Sequence, residues 1–266
     1  FQEVLPRRFG ICGHYRTVGL ETCSGLLPGG VFLRSLCTPC AVSWRCSGSR
    51  GVGRAICTTE SPALKPLITV IMAARNTEKY IGEALSSVCR QTYEDLEIIV
   101  VDDGSGDRTR DIACDVARED GRIVVLPGPG KGSGAARNVA ISAARGQYIA
   151  NMDSDDSCSP DRLERLHDAA SGTRLAVVGS NAHIIDDAGN VVSEREYPAE
   201  DAEIRKGFRR FVRRSVMLPG TVLANRSIFR EVKYNEGFKV LTDWDFVLRV
   251  SESPSVVFTN VQAPLS

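Results

Sequence analysis

Long apolar runs are missing from this chain of 266 residues. None approaches the roughly 20 apolar residues that a membrane-spanning helix requires, so no such helix is predicted. An internal repeat and a signal peptide with a normal apolar centre are not visible either. These absences favour a soluble protein. Cys89, Cys114 and Cys158 lie singly and suggest reduced thiols rather than a disulfide framework, so we expect a cytoplasmic location.

Asp, Asn and Lys are absent from the first 64 residues, which nevertheless hold six of the nine cysteines. Residues 1–65 carry eight Lys or Arg against three Glu, whereas residues 66–266 carry 25 basic and 30 acidic residues. The formal net charge of zero therefore hides a sharp change of composition. We place a domain boundary at this change, between a basic, Cys-rich extension (1–65) and one domain (66–266).

The extension admits several interpretations. Cys37 and Cys40 have the spacing of half a zinc site, but a second close pair of cysteines is missing. The further ligands would come from Cys12, Cys23, Cys46, Cys57 and His14. Arg-rich, acid-poor composition is also typical of an organelle transit peptide. We favour a poorly ordered extension, or translated sequence outside the natural start, because residue 1 is Phe rather than Met.

Strand-like and helix-like segments alternate after residue 65. Short β-branched runs are separated by segments with apolar residues at helical spacing, such as Ile81, Leu85 and Val88. Thr77 and Ser159 are predicted N-caps of two helices. The predicted strands cover residues 67–73, 96–103, 122–127, 147–153 and 174–185, and a hairpin turn is predicted at 187–190. This alternation predicts an α/β fold whose mostly parallel, Rossmann-like central sheet is covered by helices on both faces.

Carboxylates collect where two of these strands end. Asp102 and Asp103 end the second strand, and Asp153, Asp155 and Asp156 end the fourth. Ligands of such sheets bind beyond the carboxyl ends of the strands, so we expect both groups at one edge. Carboxylates held this close repel each other, which indicates a positively charged partner.

Three blocks of the sequence resemble the family 2 glycosyltransferases. They are TVIMAARNTEKYIGEALSSVCRQTYEDLEIIVVDDGSGD (69–107), GSGAARNVAISAARGQYIANMDSDD (132–156) and TDWDFVLRV (242–250). Their order and separations make the resemblance specific, and it covers essentially all of residues 66–266. It implies a single GT-A domain that uses a nucleotide-diphospho-sugar donor. It also leads us to expect that a C-terminal acceptor-binding part is missing after Ser266.

The acidic segment at 153–156 matches the DXD element of this family. The resemblance implies that Asp155 binds Mg²⁺ or Mn²⁺, with Asp153 as a further ligand or nearer the ribose. A divalent ion held by carboxylates neutralises the charge that develops on a departing diphosphate. The alternative is an acidic turn that caps the following helix, and Asp156 has no assigned role.

Further donor contacts follow from the resemblance. Asp103 matches the residue that hydrogen-bonds the uracil ring, while Ala73 and Arg75 lie where the family's first strand contacts the base. Arg75 replaces the usual aromatic residue there. The glycine-rich segment at 128–138 implies that Lys131 and Arg137 approach the donor, with an ordinary helix-start loop as the alternative. It is not a P-loop, because Gly rather than Ser or Thr follows Lys131.

Asp243 matches the catalytic base of the family, which takes a proton from the acceptor hydroxyl. Thr242 replaces the acidic residue that usually precedes it. Asp245 and Arg249 are four residues apart on the same predicted helix, so a surface ion pair is predicted for them. The alternative role for Asp243 is a charge that stabilises the helix N-terminus.

Residues 203–214, EIRKGFRRFVRR, combine six basic residues with several apolar ones. We favour a solvated amphipathic helix for this segment. Peripheral membrane contact, which would hold an anionic or lipid-linked acceptor, is the alternative.

The function implied by the resemblance is metal-dependent sugar transfer from a UDP-sugar to a hydroxyl group, with inversion at the anomeric carbon. The acceptor is expected to be a glycan, a lipid-linked molecule or a small molecule, and no nucleic acid is expected. The QxxRW element of processive synthases is absent, which favours transfer of single sugars. Two alternatives stay open: a nucleotidyltransferase of similar fold, and a catalytically silent nucleotide- or glycan-binding protein.

Overall fold

A computed structural model describes residues 65–210, 216–238 and 241–266. The zinc, transit-peptide and disordered-extension interpretations concern residues that lie outside these ranges. The basic segment at 203–214 is described only as far as residue 210. In the described ranges, no helix is long and apolar enough to cross a membrane.

The core of the fold is one mixed sheet whose order is β3-β2-β1-β4-β7-β5-β6, with β8 paired to β5. Strands β1 to β4 run parallel to one another, whereas β7 runs antiparallel to both β4 and β5. The strands are β1 Ile68–Ala74, β2 Leu96–Asp102, β3 Ile123–Pro127, β4 Tyr148–Asn151, β5 Ala176–Ile185, β6 Val191–Arg195, β7 Leu223–Asn225 and β8 Val257–Pro264.

Helices connect these strands and cover both faces of the sheet. They are α1 Ile81–Cys89, α2 Thr109–Glu119, α3 Ser133–Ala143, α4 Arg162–Ala170, α5 Asp201–Arg210, α6 Arg226–Glu231 and α7 Thr242–Ser251. A short 3-10 turn, Pro219–Thr221, precedes β7. The predicted α/β fold with a mostly parallel central sheet is therefore confirmed.

Alternate side chains of the central strands enter two separate apolar layers, as the two-residue period of a strand requires. Ile68, Val70 and Met72 of β1 pack in the layer that contains α1 and α4. Ile71 packs in the opposite layer, which contains α3 and α7. Burial on both faces explains why these strands are continuous apolar runs in the sequence.

The predicted hairpin turn is confirmed, but both predicted N-caps are wrong. The amide of Asp186 donates to the carbonyl of Asn190, which closes the turn between the antiparallel strands β5 and β6. Helix α1 begins at Ile81 with Tyr80 in the cap position, and α4 begins at Arg162 after Asp161. Thr77 and Ser159 lie one turn too early, because each starts a tight turn that leads into its helix.

Candidate active site

Both acidic groups lie at the same edge of the sheet, as the strand pattern predicted. In the parallel register, Ala74 of β1 is paired with Asp102 of β2, and Ile71 of β1 is paired with Asn151 of β4. Strand β4 ends at Asn151, which is shorter than predicted, so Asp153 stands on the loop beyond it. This edge is where ligands of parallel sheets bind.

Arg137 joins two carboxylates that are 90 residues apart in the chain. Its Nη2 donates a hydrogen bond to Asp153 Oδ1 (2.7 Å), and its Nη1 forms an ion pair with Asp243 Oδ1 (2.9 Å). The guanidinium is buried in α3, with 6% of the side chain exposed, whereas Asp153 and Asp243 are 37% and 25% exposed. The structure therefore brings Asp153, Arg137 and Asp243 together, with the guanidinium on the protein side of the two carboxylates.

Asp243 lies in the first turn of α7, where the helix dipole favours negative charge. Burial raises the pKa of its carboxyl above the ordinary value; the charge on Arg137 opposes this rise and the charge on Asp153 adds to it. A carboxylate with a raised pKa is a better proton acceptor, and partial exposure leaves it open to a ligand. This environment fits the part of a general base.

The segment from Asp153 to Asp156 is a turn whose three carboxylates differ in exposure. Asp155 is exposed, while Asp153 and Asp156 are half-buried. Burial raises the pKa of Asp156 to about 6, the charges of Asp153 and Asp155 add to this rise, and Arg162 opposes it. Across the described ranges, no group of three or more His, Cys, Asp or Glu side chains is arranged to hold a metal ion.

Asp103 is buried under the glycine-rich loop between β3 and α3. Its Oδ1 accepts the amide hydrogen of Gly130 (2.8 Å), and its Oδ2 accepts that of Gly132 (2.6 Å). Both glycines have positive φ angles, 70° and 105°, which let the loop curl around the carboxylate. Each carboxylate oxygen keeps a second lone pair, so the loop does not exhaust the accepting capacity of Asp103.

The remaining predicted donor residues are spread along the same edge. Ala73 is half-buried near the end of β1, and Arg75 follows this strand with an exposed side chain. Lys131 is exposed at the tip of the glycine-rich loop, next to the two glycines that bind Asp103.

Two further features of α7, the helix that carries Asp243, bear on the predictions made for Asp245 and Thr242. Asp245 and Arg249 form the predicted ion pair, with Arg249 Nη2 2.6 Å from Asp245 Oδ2. Thr242 is buried against the start of α3, where a Cβ atom added to Gly134 would lie 3.1 Å from its methyl group. The short side chain at 242 therefore fits a tight contact between α3 and α7.

Sequence reasoning missed several buried polar residues below this edge. The guanidinium of Arg162, 1% exposed, donates to the carbonyl oxygens of Asn151 (2.6 Å) and Gly220 (2.9 Å). Tyr234, 2% exposed, accepts a hydrogen bond from Asn151 Nδ2 (2.8 Å). The available signal for Arg162 was its spacing: it lies four residues before Leu166, on the apolar stripe of α4.

Comparisons with known proteins place this chain in a family. The protein-family model described as glycosyl transferase family 2 matches residues 69–233. An uncharacterized glycosyltransferase of Methanocaldococcus jannaschii is 31% identical over 189 residues, which are 70% of this chain and 64% of that protein. Glycosyltransferase GlyG of Streptococcus pneumoniae is 32% identical over 185 residues, 65% of this chain and 62% of that protein. The chain thus spans less than two thirds of the length of these relatives.

Solved structures share the fold at lower identity. S. aureus TarS 1-349 in complex with UDP has a TM-score of 0.57 and 20% identity, over 74% of this chain and 60% of that one. Mannosyltransferase PcManGT of Pyrobaculum calidifontis, in complex with GDP-Man and Mn²⁺, has a TM-score of 0.55 and 17% identity, over 76% and 56%. The sheet order, the edge that collects the carboxylates and the family match agree: this chain is a member of glycosyl transferase family 2.

Proposed function

We propose that the protein transfers a single sugar from a UDP-sugar to an acceptor hydroxyl, with divalent metal and with inversion at the anomeric carbon. The acceptor oxygen forms a bond to that carbon while the bond to the diphosphate breaks. The acceptor proton passes to Asp243, and UDP leaves with the electron pair.

The observation that carries this proposal is the bridge from Asp153 through Arg137 to Asp243. It joins the carboxyl edge of the sheet, where a donor would bind, to the carboxylate with the raised pKa. A transferase needs both parts within the length of one sugar ring, since attack occurs at the carbon that carries the diphosphate.

The carboxylates at 153–156 fit a divalent ion that the donor helps to bind. Mg²⁺ is usually held by one or two carboxylates together with phosphate oxygens and water, so a complete protein cage is not required. Asp155 is the exposed ligand, and Asp153 has one oxygen free of Arg137. Burial raises the pKa of Asp156, and the negative charges of Asp153 and Asp155 add to this rise, which a bound cation would relieve. Such an ion would stabilise the charge on the leaving diphosphate.

Recognition of the nucleoside falls to the neighbouring strand ends. Asp103 would accept the imide hydrogen of uracil with a remaining lone pair, beside Ala73 and Arg75. Lys131 would approach the phosphates from the glycine-rich loop, while Arg137 holds Asp153 in place. TarS has also been described in complex with UDP-GlcNAc and the mannosyltransferase with GDP-Man, which supports the nucleotide-sugar class.

The acceptor is the less defined substrate. Chondroitin synthase of Escherichia coli is 32% identical over 203 residues, but this match covers only 28% of that enzyme. A glycan, a lipid-linked molecule or a small molecule therefore stays in the proposal. The basic segment at 203–214, of which the structure describes residues 203–210, would bind an anionic or lipid-linked acceptor, with peripheral membrane contact in the second case.

A donor screen by thermal unfolding tests the proposal. A ligand in excess over its dissociation constant raises the unfolding temperature. With Mn²⁺, UDP and at least one UDP-sugar should raise it by several degrees, and the effect should vanish in EDTA. Asp155→Asn should lose the effect, whereas Asp168→Asn, an exposed carboxylate of α4, should keep it. Equal shifts with Mn²⁺ and with EDTA, or no shift with any nucleotide sugar, would refute the proposal.

A further inference from the structure

Tyr234 lies on the segment that leads from α6 toward α7, and its backbone is held by α3. Asn138 Nδ2 donates to the carbonyl of Tyr234 (3.0 Å), and the amide of Tyr234 donates to Asn138 Oδ1 (3.0 Å). This pair of bonds fixes both polar groups of one residue, as a strand partner would. Asn138 directly follows Arg137, which binds Asp153 and Asp243.

The ring of Tyr234 is packed against the helix that carries the proposed base. It stacks on Phe246 of α7, with ring centroids 4.6 Å apart and an interplanar angle of 20°. Phe246 lies three residues after Asp243, so it shares the face of the first helical turn. On the same ring lies the guanidinium of Arg137, 5.6 Å from the centroid.

The hydroxyl of Tyr234 reaches the opposite part of the site. It accepts a hydrogen bond from Asn151 Nδ2 (2.8 Å), and Asn151 is the last residue of β4, two positions before Asp153. Asn151 Nδ2 also donates to the carbonyl of Pro219 (3.2 Å), at the start of the 3-10 turn. One side chain therefore touches α7 through its ring and β4 through its hydroxyl.

From these contacts we propose that Tyr234 is a positioning residue, which sets the distance between Asp243 and the donor-side carboxylate Asp153. The inference rests on the proposed function, because it takes Asp243 as the base. Tyr234 is 2% exposed, so it acts through its neighbours rather than by touching substrate. Arg137 links the two carboxylates by charge, and Tyr234 fixes the elements that carry them.

Tyr234→Phe is the test, because it keeps the stacked ring and removes only the bond to Asn151. Turnover is measured in Mn²⁺ as UDP release with water as the acceptor of the sugar, from whichever of UDP-glucose, UDP-galactose and UDP-GlcNAc the wild-type protein uses fastest. We expect kcat to fall about 10-fold, since misplaced catalytic groups act on the rate, while affinity for UDP with Mn²⁺ stays within about two-fold. Tyr93→Phe is the matched control: it removes the buried hydroxyl that donates to the Pro66 carbonyl (2.6 Å).

Two further measurements distinguish a positioning role of Tyr234 from a general loss of stability. In an Asp243→Asn background, Tyr234→Phe should change kcat by less than about two-fold, because its effect passes through the base. Hydrogen exchange of the Asp245 amide, which donates to the Leu241 carbonyl at the start of α7 (3.0 Å), should quicken in Tyr234→Phe and not in Tyr93→Phe. A Tyr234→Phe kcat equal to that of Tyr93→Phe, or a full 10-fold loss in the double variant, would overturn this inference. A wild-type protein that releases UDP from none of the three donors would instead refute the proposed function.

Discussion

At the scale of single residues, the site is shaped by buried charge. Two acidic side chains, Asp156 and Asp243, have pKa values raised by burial, and each has a buried guanidinium close enough to oppose the rise. Arg137 does so for Asp243 and Arg162 for Asp156. A buried charge is tolerated when such partners compensate for lost hydration. Both arginines are therefore parts of the site although they lie beneath it.

Asp156→Asn should stabilise the metal-free protein in a pH-dependent way. The pKa of Asp156 is about 6 instead of 3.8, so the folded state favours the protonated carboxyl. Well below pH 3.8 the group is protonated in the folded and unfolded states alike and costs no stability. As pH rises from about 4 through 6, the wild-type protein loses stability on the order of 1–3 kcal/mol, and Asn avoids this loss.

Thermal unfolding in EDTA checks this expectation. At pH 7.5 the Asp156→Asn variant should unfold about 2–6 °C above the wild-type protein, and at about pH 3 the difference should disappear. Asp168→Asn, whose carboxylate is exposed, should show no such trend. A stabilisation that is the same at both pH values would show that the negative charge of Asp156 is not what destabilises the folded protein.

The resemblance could name Asp153 and Asp243, because sequence blocks preserve residue identity. It could not show that Arg137 contacts both of them from the buried side, since this contact depends on how α3 and α7 pack. Tyr234 lies outside the three blocks that carry the resemblance, and Asn151 lies inside the second block without a role that the resemblance assigns to it. Their bond is a long-range contact over 83 residues, which local sequence patterns do not contain.

At the scale of elements, the 3-10 turn Pro219–Thr221 packs closely against the turn formed by Asp153–Asp156, which we call the acidic turn. A Cβ atom on Gly220 would lie 2.7 Å from Asp153 Oδ2 and 3.5 Å from Asp156 Oδ2. The carbonyl of Gly220 accepts a hydrogen bond from Arg162, which holds the 3-10 turn in its position. The glycine lets backbone and carboxylates approach closely.

Gly220→Ala should therefore displace Asp153 and weaken the binding of UDP with Mn²⁺ by about 3- to 30-fold, since small misplacements in a site are costly. Titration calorimetry measures this change. Gly121→Ala is the control, because nothing lies within 4 Å of the added methyl group. Unchanged UDP affinity in Gly220→Ala would show that the position of the acidic turn does not depend on its contact with Gly220.

The elements that sequence periodicity predicted well are those with a clear apolar pattern, such as β1, β2 and α1. Their apolar residues recur over two helical turns, or fill a strand buried on both faces. Strand β7, Leu223–Asn225, has only three residues, too few to show a period. Its antiparallel insertion between β4 and β5 was consequently not predicted.

At the scale of the whole molecule, the change of composition near residue 65 predicts that the family domain works alone. A chain that begins at Pro66 should unfold cooperatively and bind UDP with Mn²⁺ within about two-fold of the full chain, because the carboxylates and Arg137 all lie after it. Calorimetry on both chains decides this. Stoichiometric zinc in the full chain, with loss of UDP binding when it is removed, would contradict the prediction.

The central claim is that Asp243 is the base of a sugar transferase whose donor side is the Asp153–Asp156 turn. The most direct measurement is the rate of UDP release by Asp243→Asn at saturating donor, with water as the acceptor whose proton the base takes. General-base catalysis is worth roughly 10²–10⁴ in rate, so we predict a loss of this size, with UDP affinity within a few-fold of wild type. Asp245→Asn, which breaks only the pair with Arg249, should lose less than about three-fold. A near-normal rate in the 243 variant, or inactivity confined to the 245 variant, would contradict the account.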